Sequence, residues 1–177
     1  MNINRPSKQQ YYLNIADTVS QRSTCLRKHY GAVIVNNDEI ISTGYNGAPR
    51  HALSCYDNKE CLKQKLHVSQ GVAYDTSCLS VHAEVNTIIS ANRRDMINSI
   101  LYLSCRDVET NELCDCLPCN MCIRLIINAG IKRVITNHYN PNLIKNIDVS
   151  MWIRNFYDII IDNPYSKLLD KNKIDLI

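Results

Sequence analysis

Apolar and polar positions fall into blocks of different period along the chain. Tyr12, Ile15, Ala16 and Val19 recur at i, i+3, i+4 and i+7, one face of a helix, and Ser7 stands where an N-cap belongs. Met1 to Pro6, ahead of it, is polar. Ala32-Val33-Ile34-Val35 and Ile40-Ile41-Ser42-Thr43-Gly44 flank the polar Asn36-Asn37-Asp38-Glu39, the pattern of a hairpin. Tyr45 to Leu79 has no sustained period; a connection of that length inside a compact domain is functional or tied down. Val81, Val85, Ile88 and Ile89 predict a helix reaching about Asn92. Ile100 to Leu103 reads as a short buried strand. Pro118 predicts the first position of a helix ended by Gly130, and Lys132 to Thr136 the strand that follows. Strand, helix and strand in this order predict a βαβ unit and a parallel pair. Beyond Pro141, Asp158 to Asp162 reads as a further strand, and the tail from about residue 164 as peripheral.

Alternating strands and helices place the chain in the α/β class, and 177 residues suit a single domain spanning 1–177. Apolar residues at 45% and charged residues at 21% exclude disorder as the main state. No apolar run approaches the ~18 residues of a membrane span, and no signal peptide is legible. A formal net charge of +3 argues against a polybasic polymer binder, although it leaves room for local patches. Nine cysteines are an odd number below the density of disulfide scaffolds. Reduced thiols in an intracellular, cytoplasmic protein are the expectation, with some available to a metal.

Two motifs carry the chemistry, His82-Ala83-Glu84 and Pro118-Cys119-Asn120-Met121-Cys122, each opening a predicted helix. Cysteines at i and i+3 share a helix face and reach one ion. Helix N-termini favour thiolates. With His82 as third ligand the protein fills three positions and leaves the fourth for water, the pattern of a catalytic zinc site. Such zinc lowers the pKa of bound water to roughly 7. Glu84, two residues from His82, is placed to move protons without ligating the metal. Each motif alone is weak, since Cys-x-x-Cys also builds structural zinc knuckles. Together, and in this order, they form the signature of zinc nucleobase deaminases. Cys116 precedes Pro118 and lies off the face shared by Cys119 and Cys122, so Cys105, Cys114 and Cys116 are read as ordinary thiols.

From about Ser20 to Tyr139 the sequence resembles deoxycytidylate (dCMP) deaminases of the cytidine/deoxycytidylate deaminase superfamily. Cys25-Leu26-Arg27-Lys28, Gly31-Ala32-Val33-Ile34-Val35, Ser42-Thr43-Gly44-Tyr45-Asn46-Gly47-Ala48-Pro49-Arg50 and Ile126 to Val134 carry the likeness beyond the zinc motifs. The Gly-Tyr-Asn-Gly-x-Pro segment is the most specific of these. The resemblance implies a three-layer α/β/α sandwich with a mixed central sheet. It implies hydrolysis of dCMP to dUMP and ammonia, with dUMP supplying thymidylate synthesis. It also implies a homo-oligomer, often a hexamer, that dCTP activates and dTTP inhibits. In this picture a backbone N–H at Ala83 bonds the base carbonyl, and Asn46 bonds the sugar hydroxyl. Arg27 receives the phosphate through its planar fork, and Tyr139 donates a further bond.

Val85 and Thr87 depart from the Gln and Ala that many relatives carry after His-Ala-Glu, at positions without chemistry. Cys105 to Leu117 is longer than in the smallest relatives. Some relatives hold a second, structural zinc in the N-terminal half, where this chain has Cys25, Cys55, Cys61 and Cys78. Four thiolates would close a tetrahedral site and pin the long loop, with His51 or His67 as possible substitutes for one of them. Two other readings compete. One is a deaminase of cytidine, guanine or a tRNA adenosine, against which Gly44 to Arg50 argues. The other is a non-catalytic zinc module binding nucleic acid, for which ten tyrosines are available to stack on bases but which has no need of Glu84.

Overall fold

The computed structural model describes residues 5–68, 77–141 and 143–161. Helix α1 (Lys8–Ser20) starts as predicted, with the Ser7 hydroxyl accepting from the Gln10 amide. Strands β1 (Lys28–Asn36) and β2 (Glu39–Tyr45) form the expected hairpin. Its two tip residues, Asn37 and Asp38, both have positive φ, the tight turn whose twist matches right-twisted strands. The described part of the stretch after β2 includes the single-turn helices α2 (Cys55–Asn58) and α3 (Leu62–Lys65). Helix α4 (Ala83–Ile89) is shorter than its apolar pattern implied, and α5 (Arg93–Met96) follows.

Strand β3 (Ile100–Asp107), helix α6 (Asn120–Ala129) and strand β4 (Arg133–Asn137) make the predicted βαβ unit, and β3 and β4 are parallel. The cap of α6 is Cys119, so Pro118 stands just before the cap and not at the first helical position. At the other end Gly130, with φ of 83°, supplies the left-handed residue that closes the helix. Past Pro141 the chain forms β5 (Ile144–Asp148), α7 (Val149–Arg154) and α8 (Phe156–Ile161). The strand expected at Asp158 to Asp162 is a correction. Its described part lies in α8, with Ile159 N–H bonded to the Asn155 carbonyl, and the sheet edge belongs to β5 instead. Residue 162 and the tail lie outside the described residues.

Within the described residues the sheet order is β2-β1-β3-β4-β5, antiparallel except for β3–β4. Period-two alternation sends Val33, Val35, Tyr102 and Ile135 to one face, against Tyr12, Leu13 and Ala16 of α1. Ala32, Ile34, Leu101, Leu103 and Val134 face the other way, against Ala83 of α4 and Ile126 and Ala129 of α6. The result is the expected three-layer α/β sandwich. Among the described residues no helix is long and apolar enough to cross a membrane.

Candidate active site

Two helix starts on the same face of the sheet meet at the site. His82 is the N-cap of α4 and Cys119 the N-cap of α6, and neither side chain is spent on capping its own helix. Both turn toward each other. His82 Nδ1 lies 3.5 Å from Cys119 Sγ and 3.4 Å from Cys122 Sγ, and the three ligand atoms lie within 4.8 Å of one another. Tetrahedral zinc with Zn–S of ~2.3 Å and Zn–N of ~2.0–2.1 Å sets S···N edges of about 3.5 Å. The residues therefore fit zinc, and among the described residues they are the only such group.

The pose of α4 depends on two close contacts. Gly47 and Val81 exchange both backbone bonds, at 3.1 and 2.7 Å, which fixes the chain one residue before His82. Gly44 of β2 lies against the helix itself, where a Cβ would stand 2.5 Å from Thr87 N and 2.8 Å from the Ala83 carbonyl. Glu84, 3% exposed, is in the first turn of α4. Burial pushes its carboxyl above the ordinary range, against the pull of His82. Cys119 is driven down, first by its hydrogen bond with Cys122 and then by the one with His82. That same bond and burial push Cys122 up. For His82 burial works downward, but the bond to Cys119 and the charge of Glu84 together raise it.

Cys105, Cys114 and Cys116 stay outside this group. The chain leaves β3, turns back through a bridge between Arg106 and Leu113, and returns with Cys114 N bonded to the Cys105 carbonyl at 2.9 Å. Asn137, at the end of β4, closes the base of this excursion. Its carbonyl accepts from Cys105 N at 3.1 Å and Cys116 Sγ at 3.4 Å, and its amide donates to the Cys114 carbonyl at 3.0 Å. Burial pushes Cys105 up to about 12 and Cys116 upward too, so both are thiols with structural work. Arg106 anchors the excursion's start through Asp17, at 2.7 and 2.9 Å.

A cavity of about 300 Å³ opens beside His82, Glu84 and Cys119, a volume suited to a small ligand. Arg27 and Asn46 line it, and so do all four of Cys25, Cys55, Cys61 and Cys78. Those four thiols converge without forming a ligand set as tight as the first. Cys55 is raised by burial, then by Cys61, Cys25 and Cys78. His51 and His67 are not among the lining residues. Ala83 is fully buried at the first position of α4. The Asn46 carboxamide is more committed than its motif suggested. Its oxygen accepts from Ser23 Oγ at 2.7 Å and Tyr30 N at 2.8 Å, and its nitrogen donates to the Lys28 carbonyl at 2.9 Å. Of its four hydrogen-bonding valences one N–H is left, so toward a ligand Asn46 is a donor.

Tyr139 is not brought to the cavity. Its side chain is 69% exposed, its backbone N–H is held by Asp115 at 2.9 Å, and it is absent from the lining. Lys63, which a sequence reading leaves as one more solvated loop lysine, is 3% exposed and lines the cavity.

The family model for the cytidine and deoxycytidylate deaminase zinc-binding region matches residues 6–138. A deoxycytidylate deaminase of Mycobacterium phage D29 is 37% identical over 137 residues, covering 75% of this chain and 96% of that protein. The deoxycytidylate deaminase of Schizosaccharomyces pombe is 36% identical over 132 residues, 74% of this chain but 37% of the yeast protein. Among solved structures, the dCMP deaminase of cyanophage S-TIM5 in complex with dCMP and dUMP has a TM-score of 0.51 at 25% identity, covering 75% of this chain and 82% of that one. Together with the His82, Cys119 and Cys122 group these matches show that the chain belongs to the cytidine and deoxycytidylate deaminase family.

Proposed function

We propose that the protein hydrolyses dCMP to dUMP and ammonia, and that the dUMP feeds thymidylate synthesis. The observation that carries the chemistry is the meeting of His82, Cys119 and Cys122 beside the buried Glu84 at the head of a cavity. The phage relative's name supports the choice of substrate.

His82, Cys119 and Cys122 would hold zinc, which supplies Lewis acidity and an activated water at neutral pH. Glu84 takes one proton from the attacking water and delivers it to N3 of cytosine. It then takes the second from the hydroxyl now on C4 and passes it to the 4-amino nitrogen, which leaves as ammonia as the C4–N bond breaks and the C4 carbonyl forms. A carboxyl whose pKa is raised by burial holds a proton long enough to hand it on. The Ala83 N–H, among the first of α4 and without an intrahelical acceptor, receives the base carbonyl. The remaining N–H of Asn46 donates to a sugar hydroxyl oxygen. Arg27 takes the phosphate.

The four thiols of Cys25, Cys55, Cys61 and Cys78 are proposed to take a second, structural zinc, supported by their lining one cavity and by the influence of the other three on Cys55. Metal analysis reads this directly, as two zinc atoms per chain against one. A homo-oligomer answering to dCTP and dTTP belongs to the same reading. Sedimentation and activity titrations with each nucleotide check it. The deciding experiment measures ammonia release from dCMP, deoxycytidine, cytidine and guanine. The proposal expects dCMP to be preferred, and a rate with cytidine equal to or above that with dCMP would sink it.

A further inference from the structure

Asn46 reaches the cavity with one N–H to spare, and part of what holds it comes from outside the cavity. Its backbone continues the β1–β2 pairing, with the Asn46 amide donating to the Tyr30 carbonyl at 3.2 Å. Its side chain then acts as one more peptide group beside β1. The Tyr30 N–H donates to Oδ1 at 2.8 Å, and Nδ2 donates to the Lys28 carbonyl at 2.9 Å. A backbone N–H only donates and a carbonyl only accepts, so these two contacts fix which end of the amide is oxygen. The third contact has another origin. Ser23 lies on the connection between α1 and β1 and is not among the described lining residues. Its hydroxyl nevertheless donates to Oδ1 at 2.7 Å, the shortest of the three bonds. That hydroxyl is itself anchored twice. Ser23 Oγ accepts from Cys25 N at 3.2 Å, and Ser23 N donates to the carbonyl of the fully buried Ser20 at the end of α1, at 2.9 Å. With both lone pairs of Oδ1 taken, Asn46, 6% exposed on the cavity wall, has a single donor left to offer.

We infer that Ser23 is a positioning residue, whose hydroxyl occupies the second lone pair of Asn46 Oδ1 and so aims the remaining Asn46 N–H at the 3′-hydroxyl of the substrate's sugar. The inference rests on the nucleotide reading above, because dCMP carries its phosphate at 5′ and its only free hydroxyl at 3′. An amide with a vacant lone pair turns to seek a second donor. One held by Ser23, Tyr30 and Lys28 together does not, and its donor is already fixed before the sugar arrives.

The test compares kcat/KM for dCMP and for 2′,3′-dideoxycytidine 5′-monophosphate, which lacks the 3′-hydroxyl. The proteins are the zinc-loaded wild type, Ser23→Ala, Ser23→Thr, Asn46→Ala and the double variant of Ser23→Ala with Asn46→Ala. The wild type prefers dCMP. A hydrogen bond between neutral groups is worth enough that this preference falls about 2- to 12-fold in Ser23→Ala. The loss appears in KM more than in kcat, and Ser23→Thr, which keeps the hydroxyl, keeps the preference. Because Ser23 acts through Asn46, the double variant falls no further than Asn46→Ala alone. Ser23→Gly serves as a second variant should Ser23→Ala fail to fold. A purely structural role lowers both nucleotides together and leaves the ratio unchanged, which overturns the inference. A further fall in the double variant, a loss in Ser23→Thr as large as in Ser23→Ala, or a wild type that hydrolyses both nucleotides equally well overturns it too, and each leaves dCMP hydrolysis standing. A wild type that does not hydrolyse dCMP removes the nucleotide reading and this inference with it.

Discussion

Gly44→Ala should damage catalysis from the far side of α4, through position alone. The added methyl would stand 2.5 Å from both the amide nitrogen and the hydroxyl of Thr87, where ordinary contact begins at 3.4 Å. The atoms it meets include the helix's own backbone, so no side chain can swing aside, and α4 must retreat from β2 by roughly 0.9 Å. Overpacking of this kind costs ~1–3 kcal/mol, which for a chain of this size lowers the melting temperature by about 2–12 °C. The same retreat moves Glu84 against Cys119 and Cys122, which ride on α6. A misplacement near 1 Å costs on the order of 100-fold in rate. The assay is kcat for dCMP alongside zinc content and thermal unfolding. Thr43→Ala, at an exposed position on the same strand, is the control. Wild-type kcat and melting temperature in Gly44→Ala would refute the reasoning. So would a loss of activity no larger than the fraction of protein unfolded.

Glu84→Gln keeps the shape of the side chain but not its proton traffic, and should cut turnover by at least ~10²-fold with zinc retained; substantial activity in that variant contradicts the assigned role. Stripping the metal with a chelator should abolish turnover, and added zinc should restore it. Burial, then the bond to Asp38, push the Tyr12 phenol from 10.0 to about 12. A pKa raised in the folded state stabilises fully below pH 10, and that contribution is lost as pH rises through about 12. Melting temperature over that window should fall less steeply in Tyr12→Phe, and an unchanged slope counts against the link. Asn137→Ala leaves Cys105 N–H and the Cys114 carbonyl unpartnered, at ~1–3 kcal/mol each. A denaturant midpoint equal to wild type would show the clamp to be dispensable.

What could be read in advance was whatever depends on local spacing. The face of α1, the β1–β2 hairpin and the i, i+3 pairing of Cys119 with Cys122 are local patterns of a few residues, so spacing exposes them, and Pro118 and Gly130 mark the ends of α6. His82 joins the cysteines from a distant segment, but the helix start marked by His-Ala-Glu placed it. The C-terminal part failed for a physical reason. A short β-branched run such as Ile159-Ile160-Ile161 suits a helix or a strand, and its fate was settled when β5 took the edge beside β4. β5 itself, Ile144-Lys145-Asn146-Ile147-Asp148, is a mixed run whose identity comes from backbone pairing with β4. Lys63 was invisible because burial of a loop lysine is a tertiary fact. Asn46 was visible as a motif, while the three bonds that turn it into a donor toward the cavity arise from Ser23, Tyr30 and Lys28. Tyr139 was placed by resemblance, and its exposure beside Asp115 sets it apart.

The Asn137 clamp has a consequence for how this chain tolerates change. Because Cys105 and Cys114 are gripped by one amide, the residues between them enter and leave at a fixed gate. The number of residues in that excursion is then uncoupled from the position of Cys119. Its turn, near Glu109 and Thr110, is exposed. It should accept an inserted peptide, an affinity tag or a fluorophore attachment point, without disturbing the metal ligands, making it the natural place to build a reporter into a working enzyme.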